Sequence, residues 1–379
     1  MPAVLESASP KGLEGVVANQ SAICYVFGEE GRLIYRGYDI HDLADHSTFE
    51  ETAYLLLYGD LPKRDQLKTF TAAIKAAQKL PKAVLRIIKE APRTAPPMDV
   101  LRTALSAAVF VDPDKGDDSA AAESRKAIRL IAQFPTLVAA FQRLRSGQKP
   151  VAPRRGLNLA ANLLYMISGT LPDPEAAKAM DVALILHADH ELNASTFAAR
   201  VIAATLADMH GAVTGAMAAL AGPLHGGANT EVMKMLLEIG TPERAEPWVR
   251  AALAQKKKIM GFGHRVYRTE DPRAAHLRRM SEELARKAGQ PHWFAIQQTL
   301  EDAMRREKGL YCNVDFYSAS MYYVMGIPLD LYTPIFAISR VSGWCAHVLE
   351  QHADNRLIRP RAEYVGAMNR TWTPLSRRA

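Results

Sequence analysis

The stretch from Asn193 to Leu220 constrains this chain most, because almost every residue in it is apolar or small. Ala198, Ala199, Ala203, Ala204, Ala207, Gly211, Ala212, Gly215 and Ala216 recur through it. Such a segment lacks the alternation of a half-buried strand and reads as helix. A helix that is apolar on every side has to be buried, in a core or against another subunit. Its small side chains let neighbouring helices approach closely. With 379 residues the chain exceeds what one hydrophobic core usually serves, so two domains, interleaved or consecutive, are expected.

Hydrophobic residues make up 48% of the chain and charged residues 23%, which places it with globular proteins and excludes a disordered one. No apolar run approaches the roughly eighteen residues of a membrane span. The opening Met1-Pro2-Ala3-Val4-Leu5-Glu6 has neither the basic nor the apolar region of a secretion signal. Cys24, Cys312 and Cys345 are odd in number, far apart and form no CxxC, which argues against a disulfide framework or a zinc knuckle. A reducing cytoplasm is the expected location. The net charge of +7 suits a solubilising surface or attraction of anionic small molecules. The basic residues are scattered and accompany no aromatic recognition motif, so no nucleic-acid partner is expected.

Ala22 to Arg36 alternates as a strand would, interrupted by Gly28-Glu29-Glu30-Gly31, and predicts a small β-hairpin. Nearly everything after it reads as helix. Ser47 and Glu50 predict a capping box before the apolar run 52–58, which stops at Gly59. Asp173-Pro174, Thr241-Pro242, Asp271-Pro272 and Thr333-Pro334 each predict a helix opened by proline at its first position, where the missing N–H costs nothing. The fold class is therefore mainly α. Gly- and Pro-rich loops fall at 112–118, 148–156, 222–229 and 261–273, and the last two set His beside Gly in apolar surroundings.

Four clusters and two arginines could carry chemistry. In His187-Ala188-Asp189-His190-Glu191, helical spacing would bring His187, His190 and Glu191 to one face. The order matches no zinc motif and no further ligand cluster lies near, so a metal is not expected. In Gly222-Pro223-Leu224-His225-Gly226-Gly227-Ala228-Asn229 a histidine precedes a new helix. The helix N-terminus there would keep the imidazole neutral and able to donate to a developing enolate. The run Lys256-Lys257-Lys258-Ile259-Met260-Gly261-Phe262-Gly263-His264-Arg265 is followed by Asp271-Pro272-Arg273. Its GxG lacks a third glycine and follows lysines rather than a strand, so a dinucleotide fold is excluded. A basic run feeding a glycine turn suits the phosphates of an elongated cofactor. In Asn313-Val314-Asp315-Phe316-Tyr317-Ser318 the lone carboxylate is either the N-cap of the next helix or a desolvated general base. Arg340 and Arg359, in apolar and proline-bounded settings, suit bidentate capture of carboxylates or ordinary salt bridges.

Taken together, HADHE, GPLHGGAN, GFGHRVYR, DPR, NVDFYS and RP resemble the signatures of the citrate synthase family, in that family's order and over nearly the whole chain. Gly12-Leu13-Glu14-Gly15-Val16 and Tyr35-Arg36-Gly37-Tyr38 are similar to its shorter bacterial and archaeal members. The resemblance implies a two-domain helical fold, with a large domain of 1–222 and 327–379 and a small domain of 223–326. It implies Asp315 as the base, His225 as hydrogen-bond donor to a thioester oxygen, and His264 as polariser and proton donor at a ketone. His190, Arg273, Arg340 and Arg359 would hold oxaloacetate, and Lys258, Ile259, Met260, Gly261 and Phe262 would meet CoA. It further implies a homodimer in which Arg359 reaches the partner's site, and closure of the small domain on oxaloacetate. Acetyl-CoA would be a co-substrate, with no permanent cofactor. Propionyl-CoA, giving 2-methylcitrate, is the alternative, because one methylene changes pocket discrimination by only about 1–3 kcal/mol. A non-catalytic ligand-binding paralogue is the remaining rival; it predicts erosion at Asp315, His225 or His264, and all three are present.

Overall fold

The predicted hairpin forms from β1 (Cys24–Phe27) and β2 (Arg32–Tyr35), antiparallel, with Cys24 opposite Tyr35. A short third strand, β3 (Tyr38–Asp39), adds to β2 and was not foreseen. Ile23, Leu33 and Tyr35 are fully buried and seat this sheet on the helical body. The computed structural model describes residues 11–13 and 15–378. Met1–Glu6 and Glu14 lie outside them.

The rest is helical, as expected. The first group is α1 (Ile40–His46), α2 (Phe49–Tyr58), α3 (Arg64–Ala77), α4 (Lys82–Glu90), α5 (Pro97–Ala108) and the long α6 (Ala120–Arg145). Next come α7 (Leu159–Ser168), α8 (Pro174–His187), α9 (Ala194–Ala203) and α10 (Met209–Leu220). Then follow α11 (Ala228–Ile239), α12 (Pro242–Ala254), α13 (Pro272–Lys287), α14 (His292–Lys308) and α15 (Val314–Val324). The chain returns through α16 (Tyr332–Ala353), which packs against α2, α6, α8, α9 and α10 and is the spine of the core.

The segment from Asn193 to Leu220 is two helices, α9 and α10, packed on each other, rather than one continuous run. Leu206 at φ 63° turns the chain, and Asp208 caps α10 by accepting from the Gly211 N–H at 3.0 Å. The capping box also shifts by one residue. Ser47 is still the C-cap of α1, so Thr48 caps α2, accepting from the Glu51 N–H. Glu50 is instead buried and accepts from the Leu159 N–H at the start of α7, at 2.7 Å. Pro174, Pro242 and Pro272 open α8, α12 and α13 as predicted, each following its cap residue. Pro334 does not open a helix. The cap of α16 is Leu331, so Pro334 sits within the first turn, where its absent N–H is still harmless, and Thr333 donates to the Gly226 carbonyl at 2.9 Å. Pro97 opens α5 in the same manner without having been singled out.

Glu50 shares its burial with Asp181 of α8, which accepts from the Phe49 N–H at 3.3 Å. Burial, and then Glu50, push the Asp181 carboxyl up to about 7. In the unfolded chain it titrates near ~4. Between those values the folded protein keeps a proton that the unfolded chain has lost, so this group makes stability fall as pH rises from about 4 to about 7. Asp181→Asn keeps the acceptor and removes that loss. Its unfolding free energy should exceed the parent's at pH 8 by roughly 2–4 kcal/mol, with the gap closing towards pH 5. A variant less stable at both pH values would contradict this account.

Candidate active site

The histidines of 187–191 do not share a helix face. Helix α8 ends at His187, whose Nδ1 lies 2.8 Å from the Ala183 carbonyl, and Glu191 adopts a left-handed φ of 52°. His190 therefore lies outside the helix that ends at His187. The His190 ring faces His264, with ring centres 5.1 Å apart, and Tyr267 at 5.6 Å. Burial, then the positive Arg273, hold His190 well below its ordinary value, so its ring is neutral. His190 Nε2 and the Tyr267 hydroxyl are both buried without a protein hydrogen-bond partner.

His264 follows the glycine turn. Its Nδ1 accepts from two backbone N–H groups, those of Val266 at 3.0 Å and Tyr267 at 3.1 Å. Backbone N–H groups only donate, so the ring proton resides on Nε2. Burial, then Arg273, lower its pKa to about 4. His225 shows the mirror arrangement. The Ser195 N–H donates to its Nε2 at 3.3 Å, which places the proton on Nδ1. The Ser195 hydroxyl also sits 2.8 Å from Nε2, where it can donate its proton, and it accepts from the Trp344 indole N–H at 3.1 Å. His225 is neutral as expected, with a pKa lowered to about 4, but the reason differs: burial acts first and Arg340 second, rather than a helix N-terminus.

Asp315 is not an N-cap. Asn313 caps α15, accepting from the Asp315 N–H at 3.1 Å, and Asp315 lies one position inside the first turn. Its carboxylate forms no hydrogen bond or ion pair among the described residues, and burial pushes its pKa up to about 6 against the opposing pull of Arg273. An unpaired carboxylate poised there can take a proton near neutral pH.

The two buried arginines of this cluster are held differently. Arg273, at the start of α13, is gripped through Nε and one terminal nitrogen by Asp271, at 2.9 and 2.7 Å. Arg340 donates through Nε to the His187 carbonyl at 2.7 Å and lies over the Phe336 ring at 4.7 Å. Its terminal nitrogens bond no described residue. Arg340 acts electrostatically on His190, His225 and Asp315 alike, and Arg273 on His190, His264 and Asp315, so six of the seven sequence candidates share one site.

The seventh, Arg359, is exposed on the extended C-terminal segment of this single chain and is not brought to the cluster. In the segment Lys258–Phe262 the lysine is exposed, while Ile259 and Phe262 are buried. Gly261 has φ 86°, and a Cβ there would stand 2.6 Å from the Phe316 ring, so only glycine permits this turn to lie on α15. Phe262 bridges to Cys312, and the Asn313 N–H donates to the Gly261 carbonyl at 2.9 Å, tying the turn to the residue that caps the Asp315 helix. Among the described residues no group of three His, Cys, Asp or Glu side chains is arranged to hold a metal ion. Sequence reasoning missed Ser195, Tyr267 and Phe336, whose importance lies in which histidine or arginine they touch, and Trp344, which acts through Ser195.

A sequence model of the family described as "Citrate synthase, C-terminal domain" matches residues 12–361. Citrate synthase 2 of Bacillus subtilis is 49% identical over 370 residues, covering 97% of this chain and 99% of that protein. A citrate/2-methylcitrate synthase of the same organism is 43% identical, covering 95% and 97%. The fold matches the citrate synthase of Thermoplasma acidophilum, solved as a ternary complex with carboxymethyl coenzyme A and oxaloacetate, at a TM-score of 0.91 and 34% identity, covering 98% of this chain and all of that one. This chain, with its histidine, arginine and carboxylate cluster in place, belongs to the citrate synthase family.

Proposed function

We propose that this protein condenses acetyl-CoA with oxaloacetate and water to give citrate and CoA. The observation that carries the reading is the matched protonation of three groups. Asp315 is an unpaired carboxylate raised to about 6, and His225 and His264 are neutral rings whose backbone contacts leave one N–H each free to donate. Forming the carbon–carbon bond requires removal of a weakly acidic α-proton, a donor to the enolate oxygen and a polarised ketone. Asp315 takes the proton, His225 Nδ1–H meets the thioester oxygen, and His264 Nε2–H polarises the ketone and then protonates its oxygen. His190, Arg273 and Arg340 hold the dicarboxylate, and the turn 258–262 meets CoA. Hydrolysis of the resulting thioester on the same protein completes the reaction.

Propionyl-CoA is the second reading, favoured by the 2-methylcitrate activity named for a relative of comparable identity. The ratio of kcat/KM for acetyl-CoA over propionyl-CoA, measured with oxaloacetate, is expected to exceed one. A ratio below one would make the protein a 2-methylcitrate synthase. The shared chemistry is the same in both, since the two substrates differ by one methylene.

A homodimer is part of the proposal, with Arg359 completing the partner's site. The C-terminal segment supports it: Leu357, Val365, Met368 and Trp372 are exposed on the single chain, an arrangement suited to burial against another copy. The segment 223–326 is proposed as a small domain that closes on oxaloacetate and excludes water before the α-proton is taken. Small-angle scattering checks both points. A dimer-sized particle that contracts with oxaloacetate is expected; a monomer, or an unchanged profile, would overturn the corresponding part. No helix of the described residues is long and apolar enough to cross a membrane.

A further inference from the structure

The N-terminal hairpin lies far in sequence from every residue assigned above, yet it touches the segments carrying both facing histidines. Cys24 and Tyr35 are cross-strand partners in β1 and β2. The Tyr35 hydroxyl, fully buried, donates to the Asp189 carbonyl at 2.8 Å and accepts from the Asp189 N–H at 3.2 Å. Cys24 Sγ accepts from the Glu191 N–H at 3.3 Å. One cross-strand pair thus grips the backbone on both sides of His190. Since His190 Nε2 has no protein partner, the ring's aim depends on this backbone and on packing against His264 and Tyr267.

The other end of the hairpin meets the His264 loop. The Gly28 carbonyl accepts from the Arg268 N–H at 2.9 Å. A Cβ on Gly28 would stand 2.4 Å from the Val266 carbonyl oxygen, and the Val266 N–H is one of the two donors that fix the His264 tautomer. The obstacle is backbone, so the loop would have to move. At its base the hairpin is tied to the helical body by Arg36, which donates to the Leu56 carbonyl through Nε at 3.2 Å and a terminal nitrogen at 2.9 Å.

We propose that this hairpin is a splint that sets His190 and His264 opposite each other, with Tyr35 and Gly28 as positioning residues. The inference rests on the reading of the site as one that binds and condenses oxaloacetate. Tyr35→Phe keeps the ring and removes only the hydroxyl, leaving the Asp189 carbonyl and N–H unpaired. Gly28→Ala displaces the His264 loop by its added methyl group.

Calorimetry of oxaloacetate with the unsubstituted full-length protein, alongside its condensation rate, tests the site itself. Comparison of the variants with that protein tests the splint. Tyr35→Phe should raise the oxaloacetate dissociation constant about tenfold or more while the KM for acyl-CoA changes less than twofold. Gly28→Ala should lower kcat about tenfold or more, because small misplacements of a reacting group are costly. Tyr25→Phe, on the exposed face of the same strand, should match the parent in both. If the parent binds and condenses oxaloacetate and Tyr35→Phe leaves its affinity within twofold, the splint is overturned. It is equally overturned if both substrates weaken together with a falling melting midpoint, since that is the mark of general loosening.

Discussion

Asp315→Asn is expected to lower kcat for condensation by about a thousandfold, within the range that positioned general bases contribute. Asparagine fills the same volume at the second residue of α15 and leaves the Asn313 cap untouched. What it lacks is a lone pair basic enough to take the α-proton. Oxaloacetate should still bind, because the groups proposed to hold it are elsewhere, and calorimetry would show a dissociation constant within a few-fold of the parent's. The same group sets the acid limb of the unsubstituted protein. Asp315 works only when ionised, so log kcat/KM should fall with unit slope as pH drops below about 6. Above that pH the limb should be flat until another group intervenes. Retention of more than a tenth of the parental kcat by the variant would remove Asp315 from the role of base.

His225→Ala is the second large effect, expected to cost a factor of about 10²–10³ in kcat, the usual loss when one preorganised donor to a developing oxyanion is removed. The Ser195 N–H and hydroxyl would then face a space rather than Nε2, without disturbing Arg273 or His264. The step affected can be separated from that of His264. Exchange of the acyl-CoA α-protons with deuterated water, with oxaloacetate present, reports enolisation alone. It should slow with His225→Ala in parallel with kcat. Unimpaired exchange in this variant would move His225 away from the thioester. Because the ring titrates at about 4, it stays neutral through pH 5–9, and no inflection near the ordinary histidine value should arise from it.

Much of this site is legible in the linear chain because its chemistry is carried by residue types that are hard to explain otherwise. A histidine between glycines, a lone carboxylate before an aromatic helix and arginines in apolar helices each invite a question that composition does not answer. Proline at Pro174, Pro242 and Pro272 marked helix starts correctly, since the missing N–H is a local property. The same device misled at Pro334, where Leu331 had already begun the helix. The capping box failed for a similar reason: Ser47 was occupied in ending α1, a fact about its neighbour rather than about itself. The reading of His187–Glu191 as one helical face failed because the helix stops at His187, and the hydroxyl of Tyr35 from a distant strand takes up the Asp189 carbonyl beyond that end and reaches those of Ile185 and Leu186 in its last turn.

The sequence by itself determined the mainly α class, the hairpin, the order of the candidate residues and the family they resemble, because periodicity, caps and motif order are written in neighbouring positions. Tertiary structure alone decided how each group is tuned. His225 is neutral through burial and Arg340, and Asp315 is raised by burial against the pull of Arg273. The tautomers of His225 and His264 are set by backbone N–H groups, one of them contributed by Ser195 from helix α9. Desolvation and through-space charge depend on what surrounds a group in three dimensions, and those neighbours come from segments that adjacent residues cannot reveal.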